Sequence, residues 1–173
     1  MAQEYRTGSI IACILSIALI PLLIIFIIYI SGDNSHILQK ISIECKNLPN
    51  ITSFHLPTIS IAMSTYCKLA PVFGFILFIL SYKKANIHGL SKSRNLNSAF
   101  LVLIILYSTM VYLFMLNNFE LTNSSHVLNI ISKNEYSLFL FFALVFFSLY
   151  FFSYCLFCFI LAYVYRLIYK RRH

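Results

Sequence analysis

Acidic side chains are almost missing from this sequence: 5 of its 173 residues are Asp or Glu. None stands in the middle of an apolar stretch, so the chain has no carboxylate for an intramembrane proton relay or ion path. That argues against a transporter or channel. Glycine is scarce too, four in all, and no Gly-rich phosphate loop, H-E-x-x-H or G-x-S-x-G motif occurs. No catalytic, cofactor or metal site is expected; His36 and His55 have no third ligand at a useful spacing. Charged residues make up 10% of the chain and hydrophobic ones 60%, whereas soluble domains average about 25% and about 45–50%. A soluble fold is excluded and an integral membrane protein expected. The five cysteines (Cys13, Cys45, Cys67, Cys155, Cys158) are odd in number and four lie within apolar runs, so no disulfide framework is implied. Cys45 and Cys67 are the one pair that an oxidising compartment could bridge.

What the sequence does contain is four long apolar runs, at 8–30, 59–82, 98–116 and 136–165. A span needs about 20 apolar residues at ~1.5 Å each. The first run is longer than a signal-peptide core of roughly 7–15 residues and no A-x-A-like site follows, so it is expected to remain as a span. The predicted fold is all-α, a single membrane domain of four transmembrane helices at approximately 8–30, 62–82, 98–116 and 138–163. The net charge of +8 does not mark a nucleic-acid binder, because the cations collect at span ends rather than on one face. The connector from Lys83 to Arg94 carries four cations, Lys83, Lys84, Lys92 and Arg94, and no acid. Lys and Arg resist translocation, so the loop 83–97 is expected inside the cell. Arg6, Arg166, Lys170, Arg171 and Arg172 then fall on the same side, and both termini are cytoplasmic. The outer loops, 31–61 and 117–137, hold Lys40, Lys46 and Lys133 with Asp33, Glu44, Glu120 and Glu135.

Along the chain, Gly8, Ala12 and Ser16 form a small-residue seam in the first span, and Pro21 interrupts its hydrogen-bond ladder. In the first outer loop Ile37, Leu38, Ile41 and Leu48 recur at near-helical spacing, which predicts a short amphipathic piece at the membrane surface. Lys68 is the one cation inside an apolar run. Counting back from Tyr82 puts it about 21 Å along the second span, and it is expected to snorkel outward; pairing with Glu120 or contact with a bound partner are the alternatives. Ala70 and Gly74 beside Pro71 make a second packing seam. The third span carries Tyr107, Ser108, Thr109 and Tyr112, hydroxyls that must bond either the carbonyl four residues back or another helix. Two sequons, Asn50-Ile51-Thr52 and Asn123-Ser124-Ser125, fall outside. The last run would measure about 45 Å as helix, more than the ~30 Å hydrocarbon core, so it must tilt, bend or protrude. Its Tyr163, Tyr165 and Tyr169 beside Arg166 and the basic tail make an interfacial anchor able to meet anionic lipid.

Cys155-x-x-Cys158 is the one motif with possible reactivity. Four spans with such a motif and an outer cysteine pair are similar to membrane thiol oxidases of the vitamin K epoxide reductase type. In that reading the thiols would have to be reachable from outside. They stand instead roughly 12–16 Å from Arg166 along the helix, beside Phe157 and Phe159, a setting that favours inert packing.

A more specific resemblance rests on Lys40-Ile41, on Asn47-Leu48-Pro49 followed by Ile51-Thr52-Ser53, and on Tyr66-Cys67-Lys68 with Ala70-Pro71. It continues with Val111-Tyr112-Leu113-Phe114 leading to Asn118-Phe119-Glu120-Leu121-Thr122, and Ile20-Pro21-Leu22-Leu23 looks similar too. In that order and spacing the chain resembles the four-span immunity proteins that protect bacteria against pore-forming colicins of the colicin A group. The likeness thins across 83–97 and in the last span, and Cys45 has no counterpart in it. It implies a protein of the inner membrane of a Gram-negative bacterium, not an enzyme. Its partners would be the lipid bilayer and the toxin's pore-forming domain, intercepted by helix contacts, with no nucleic acid or small-molecule substrate. Recognition residues are expected at Tyr107, Ser108, Thr109 and Tyr112, with Phe119 and Glu120 just outside and Lys68 near them. The competing classes are a thiol oxidoreductase using Cys155 and Cys158, and an accessory subunit of a larger membrane complex. The topology is checked by alkaline phosphatase fusions: activity is expected after Asn50 and Asn123 and none after His88, and the reverse pattern would overturn it.

Overall fold

The computed structural model describes residues 2–32, 36–82 and 96–172, with the side chains of 13–32, 36–82 and 96–168. The basic connector falls outside the described residues, and the surroundings of the seam residues Gly8 and Ala12 and the side chains of the tail are outside the described side chains.

Helix α1 (Ala2–Ile30) runs through Pro21 without ending. Pro21 has no N–H to offer the carbonyl of Ile17. One residue on, the Tyr66 hydroxyl donates to the Ala18 carbonyl at 2.6 Å, so a neighbouring helix supplies a donor where the ladder is interrupted. The helix stops at Gly32, whose φ of 70° and bond from its N–H to the Tyr29 carbonyl form a glycine C-cap. Helix α2 (His36–Cys45) follows, with Leu38 turned into the protein and Ile37 and Ile43 exposed, in line with the amphipathic piece expected from that spacing.

The second apolar run is two helices, α3 (Pro57–Cys67) and α4 (Ala70–Ser81). Proline is the cause at both starts, since its missing N–H is one a first helical turn leaves unpaired anyway. Pro71 cannot bond the Cys67 carbonyl, and the chain tightens there: Lys68 N–H reaches Thr65, Leu69 N–H reaches Tyr66 and Val72 N–H reaches Leu69, each three residues back. Helix α5 (Leu96–Val111) passes into a π-helical turn at Tyr112–Leu116. Helix α6 (His126–Lys133) is capped by Ser125 Oγ accepting from Leu128 N–H, and α7 (Glu135–Arg172) is 38 residues long, about 57 Å of helix. Four stretches are long and apolar enough to cross a membrane: Cys13–Ile30, Pro57–Ser81, Leu96–Leu116 and Glu135–Ile168.

The packing centres on α7. Its Leu138, Phe142, Phe146 and Tyr150 meet Ala18, Leu22 and Phe26 of α1 and Ile59, Met63 and Cys67 of α3 in one buried cluster. Helices α4 and α7 make the most extensive helix contact. Gly74 lets their backbones approach closely: a Cβ there would lie 2.7 Å from the Tyr150 carbonyl oxygen and 2.8 Å from Ser153 Cβ. Close approach at a small residue is how helices gain affinity when the solvent is lipid.

One element departs from an all-α fold. Between α2 and α3, β1 (Ile51–Thr52) pairs in parallel with β2 (Phe119–Glu120), Ile51 opposite Phe119 and Thr52 opposite Glu120. Asn50, Ile51, Ser53 and Leu121 around this pair are buried. Buried strands with no wider sheet have backbone groups to satisfy on their outer edge. Here two serines of α3 do it: Ile51 N–H donates to Ser64 Oγ at 2.9 Å and Ser53 N–H to Ser60 Oγ at 3.1 Å. The spacing works because four helical residues rise about 6.0 Å and two strand residues about 6.6 Å. Asn50 joins the rest. Its N–H donates to Asn118 Oδ1, its carbonyl accepts from Phe119 N–H, its amide nitrogen donates to the Cys45 carbonyl at 2.7 Å, and its Oδ1 accepts from Lys68 Nζ and Thr65 Oγ1.

Two outcomes follow. Gly74→Ala would gain about 1 kcal/mol from helix propensity alone, but crowding Tyr150 should reverse the sign and cost about 1–3 kcal/mol in thermal unfolding of the purified protein. Asn50→Ala strands the half-buried Lys68 ammonium, at about 1–3 kcal/mol for each polar partner left unpaired. Lys68→Met in that background should recover part of the loss, and strictly additive losses would show that the two residues do not act through each other.

Candidate functional site

The third span decides which hydroxyls face a partner and which face the protein. Against α7, α5 presents Leu96, Phe100, Leu103 and Tyr107, spaced three and four apart on one face. Leu96 packs on Ala162, Phe100 stacks on Phe159 and Tyr163 with ring centroids 6.5 and 5.8 Å away, and beyond the π-turn Phe114 meets Phe141 at 6.5 Å. Tyr107 belongs to this inner seam. Its hydroxyl lies 3.1 Å from Ser153 Oγ, and Ser153 already gives its only proton to the Leu149 carbonyl at 2.6 Å, so Tyr107 is the donor.

Ser108, Thr109 and Tyr112 lie on the opposite face, among Leu101, Ile105 and Leu116. No other described helix covers that face; Ile105 is 64% and Tyr112 59% exposed. The structure therefore divides the four hydroxyl residues, one inward and three outward. Thr109 Oγ1 donates to the Ile105 carbonyl at 2.9 Å, the local self-bonding anticipated for such groups. The π-turn adds a residue just above them, with Phe114 and Met115 packed against the core and Tyr112, Leu113 and Leu116 exposed. Such turns recur at functional sites.

The same segment continues into β2, and the two loop strings that carry part of the resemblance meet there. Residues 50–53 and 118–122, far apart in sequence, form the paired strands, with Leu121 N–H donating to the Thr52 carbonyl and Phe54 N–H to Thr122 Oγ1. Beside them is an open groove of about 720 Å³ whose walls include Lys46, Leu48, Phe54, Phe119 and Glu120. Phe54 is 76% exposed at its edge. Aromatic and aliphatic surface with one charge of each sign is a composition suited to a protein partner.

Lys68 reaches the Asn50 side chain at 3.2 Å, whereas Glu120 accepts from the Asn123 amide at 2.9 Å. The alternative of a Lys68–Glu120 pair is thus not what forms, and Lys68 supports the loop junction from beneath. Asn50 of the first sequon is 3% exposed and its amide nitrogen donates to the Cys45 carbonyl, so that sequon is closed. All five cysteines are free thiols. Cys67 is buried with its Sγ 3.4 Å from the Phe142 carbonyl, and Cys45 and Cys67 are not bridged. Cys155 and Cys158 are half-buried on α7. Sequence reasoning missed the junction residues Asn50, Ser60 and Ser64. The available signal was two serines four apart on the most apolar part of α3, opposite a strand-like Ile-Thr-Ser.

The family model for colicin immunity proteins matches residues 34–172. Among individual proteins, the chain is 38% identical to the colicin-A immunity protein of Citrobacter freundii over 127 residues, 73% of this chain and 71% of that protein. It is 32% identical to the colicin-B immunity protein of Escherichia coli, over 73% of this chain and 72% of that one. The colicin-N immunity protein of Escherichia coli is 34% identical over 106 residues, 61% of this chain and 79% of its own. No solved structure matches significantly. With a family match running from the first outer loop to the end of α7, through both strands and the exposed face of α5, the chain belongs to the colicin immunity protein family.

Proposed function

We propose that this protein protects the cell that makes it by holding the pore-forming domain of a colicin within the inner membrane and keeping its channel shut. The observation that carries the reading is the outward face of α5, where Ser108 and Tyr112 stand on a membrane-length helix that no described helix covers. In lipid no hydrophobic drive brings helices together, so recognition depends on close packing and a few interhelical hydrogen bonds. A hydroxyl-bearing face is what one helix can read on another. Phe119 and Glu120, at the rim of the outer groove, extend the surface beyond the bilayer; Tyr107 and Lys68 hold it from behind through Ser153 and Asn50. Selectivity among related toxins then follows from a small difference of affinities at these positions. The function needs no cofactor and no chemistry at Cys155 or Cys158.

In a colicin-sensitive strain producing this protein, challenge with pore-forming colicins A, B, N and others should give survival against one and killing by the rest. Killing by all of them would sink the reading. Removing the two outward hydroxyls other than the self-bonded Thr109, with shape retained, Ser108→Ala with Tyr112→Phe, should forfeit about 0.6 kcal/mol each, so protection should fail at a toxin dose roughly eightfold lower. Cys155→Ser with Cys158→Ser should leave protection intact; its loss would favour the oxidoreductase class.

A further inference from the structure

The inner ends of α5 and α7 part on one side to leave a groove of about 380 Å³, lined by Ser98, Ala99, Val102, Leu103, Leu106 and Phe159. That volume is in the range of about 300–1,000 Å³ typical of small-molecule sites, yet the only polar side chain in it is the hydroxyl of Ser98 at its end. From Ser98 to Leu106 it follows α5 for about 12 Å. At the Ser98 end the chemistry changes abruptly. Arg166 Nη1 donates to Asn97 Oδ1 at 3.3 Å, which uses one of five guanidinium N–H groups and leaves the Asn97 amide nitrogen free to donate as well. Among the described side chains the acids are Glu44, Glu120 and Glu135, which belong to the opposite end of the molecule. The α7 backbone stays helical to Arg172, so Lys170 follows Arg166 on the same face, four residues on.

We propose that this groove is a site for one anionic phospholipid, with an acyl chain along Ala99, Val102 and Leu106 and the phosphate on Arg166 and Asn97. The match is of charge to charge at the interface and of apolar length to apolar length below it. Neither half suffices alone: a zwitterionic lipid lacks the net charge, and free phosphate lacks the chain. The phosphate end of the site, at Asn97 and Arg166, lies away from Ser108 and Tyr112 of the proposed toxin face.

The test is native mass spectrometry of the purified full chain with dioleoyl phosphatidylglycerol or dioleoyl phosphatidylcholine. The glycerol lipid should be retained about fivefold better, the discrimination that one basic residue at an anionic surface supplies. Arg166→Gln should erase the preference and Arg166→Lys keep it. Ala99→Phe, which fills the groove, should lower retention of both lipids while helical content by circular dichroism stays the same. Millimolar inorganic phosphate should not displace the lipid. Equal retention of the two lipids by the unaltered protein, undiminished binding by Ala99→Phe, or displacement by phosphate would each overturn the proposal.

Discussion

A backbone amide buried inside a protein has no water to fall back on, and the junction of the segments before α3 and after α5 answers to that constraint. Helices satisfy it internally. The segment 50–53 is not helical and is buried, so it needed a partner on each side. On one side it takes β2; on the other it takes two serines of α3 whose rise matches its own. Asn50 closes the arrangement, bonding the end of α2, the start of β2 and the lysine at the α3–α4 break. Two outer loops that chain topology leaves independent become one body, and that body fixes Phe119 and Glu120.

The same economy is visible lower down. Tyr107, Ser153 and Gly74 lie at one level where α5, α7 and α4 come together. Ser153 is the shared residue, receiving the Tyr107 proton and lying against the glycine. Turning Tyr107 inward sets the rotation of α5, and that rotation is what sends Ser108 and Tyr112 outward. The proposed recognition face and the packing seam are two sides of one helix, so a change at the seam is felt on the face.

Much of this was legible in the sequence, because hydropathy and charge act over tens of residues. Four helices long and apolar enough to cross a membrane are present among the described residues, and two of the strings that carried the family resemblance are the ones that pair as β1 and β2. What could not be read depends on single-residue geometry. Two residues make no strand pattern, so β1 and β2 had no periodic signal. Pro71 was visible, but that it would split the second run into α3 and α4 depended on how neighbours met the freed carbonyls. Counting residues placed Lys68 near the outer boundary; only the fold of the loop put Asn50 within its reach. The hydroxyl cluster was seen as a group, whereas its division needed the facing of α5 on α7.

The central claim is that the uncovered face of α5 is where the toxin's pore-forming domain docks. It is tested most directly by placing a photoreactive phenylalanine at Tyr112 and, as a reference, at Ile27 on the exposed face of α1, then illuminating cells challenged with the cognate colicin. The account predicts a crosslink to the toxin from position 112 and none from position 27. A crosslink from 27 alone would contradict it.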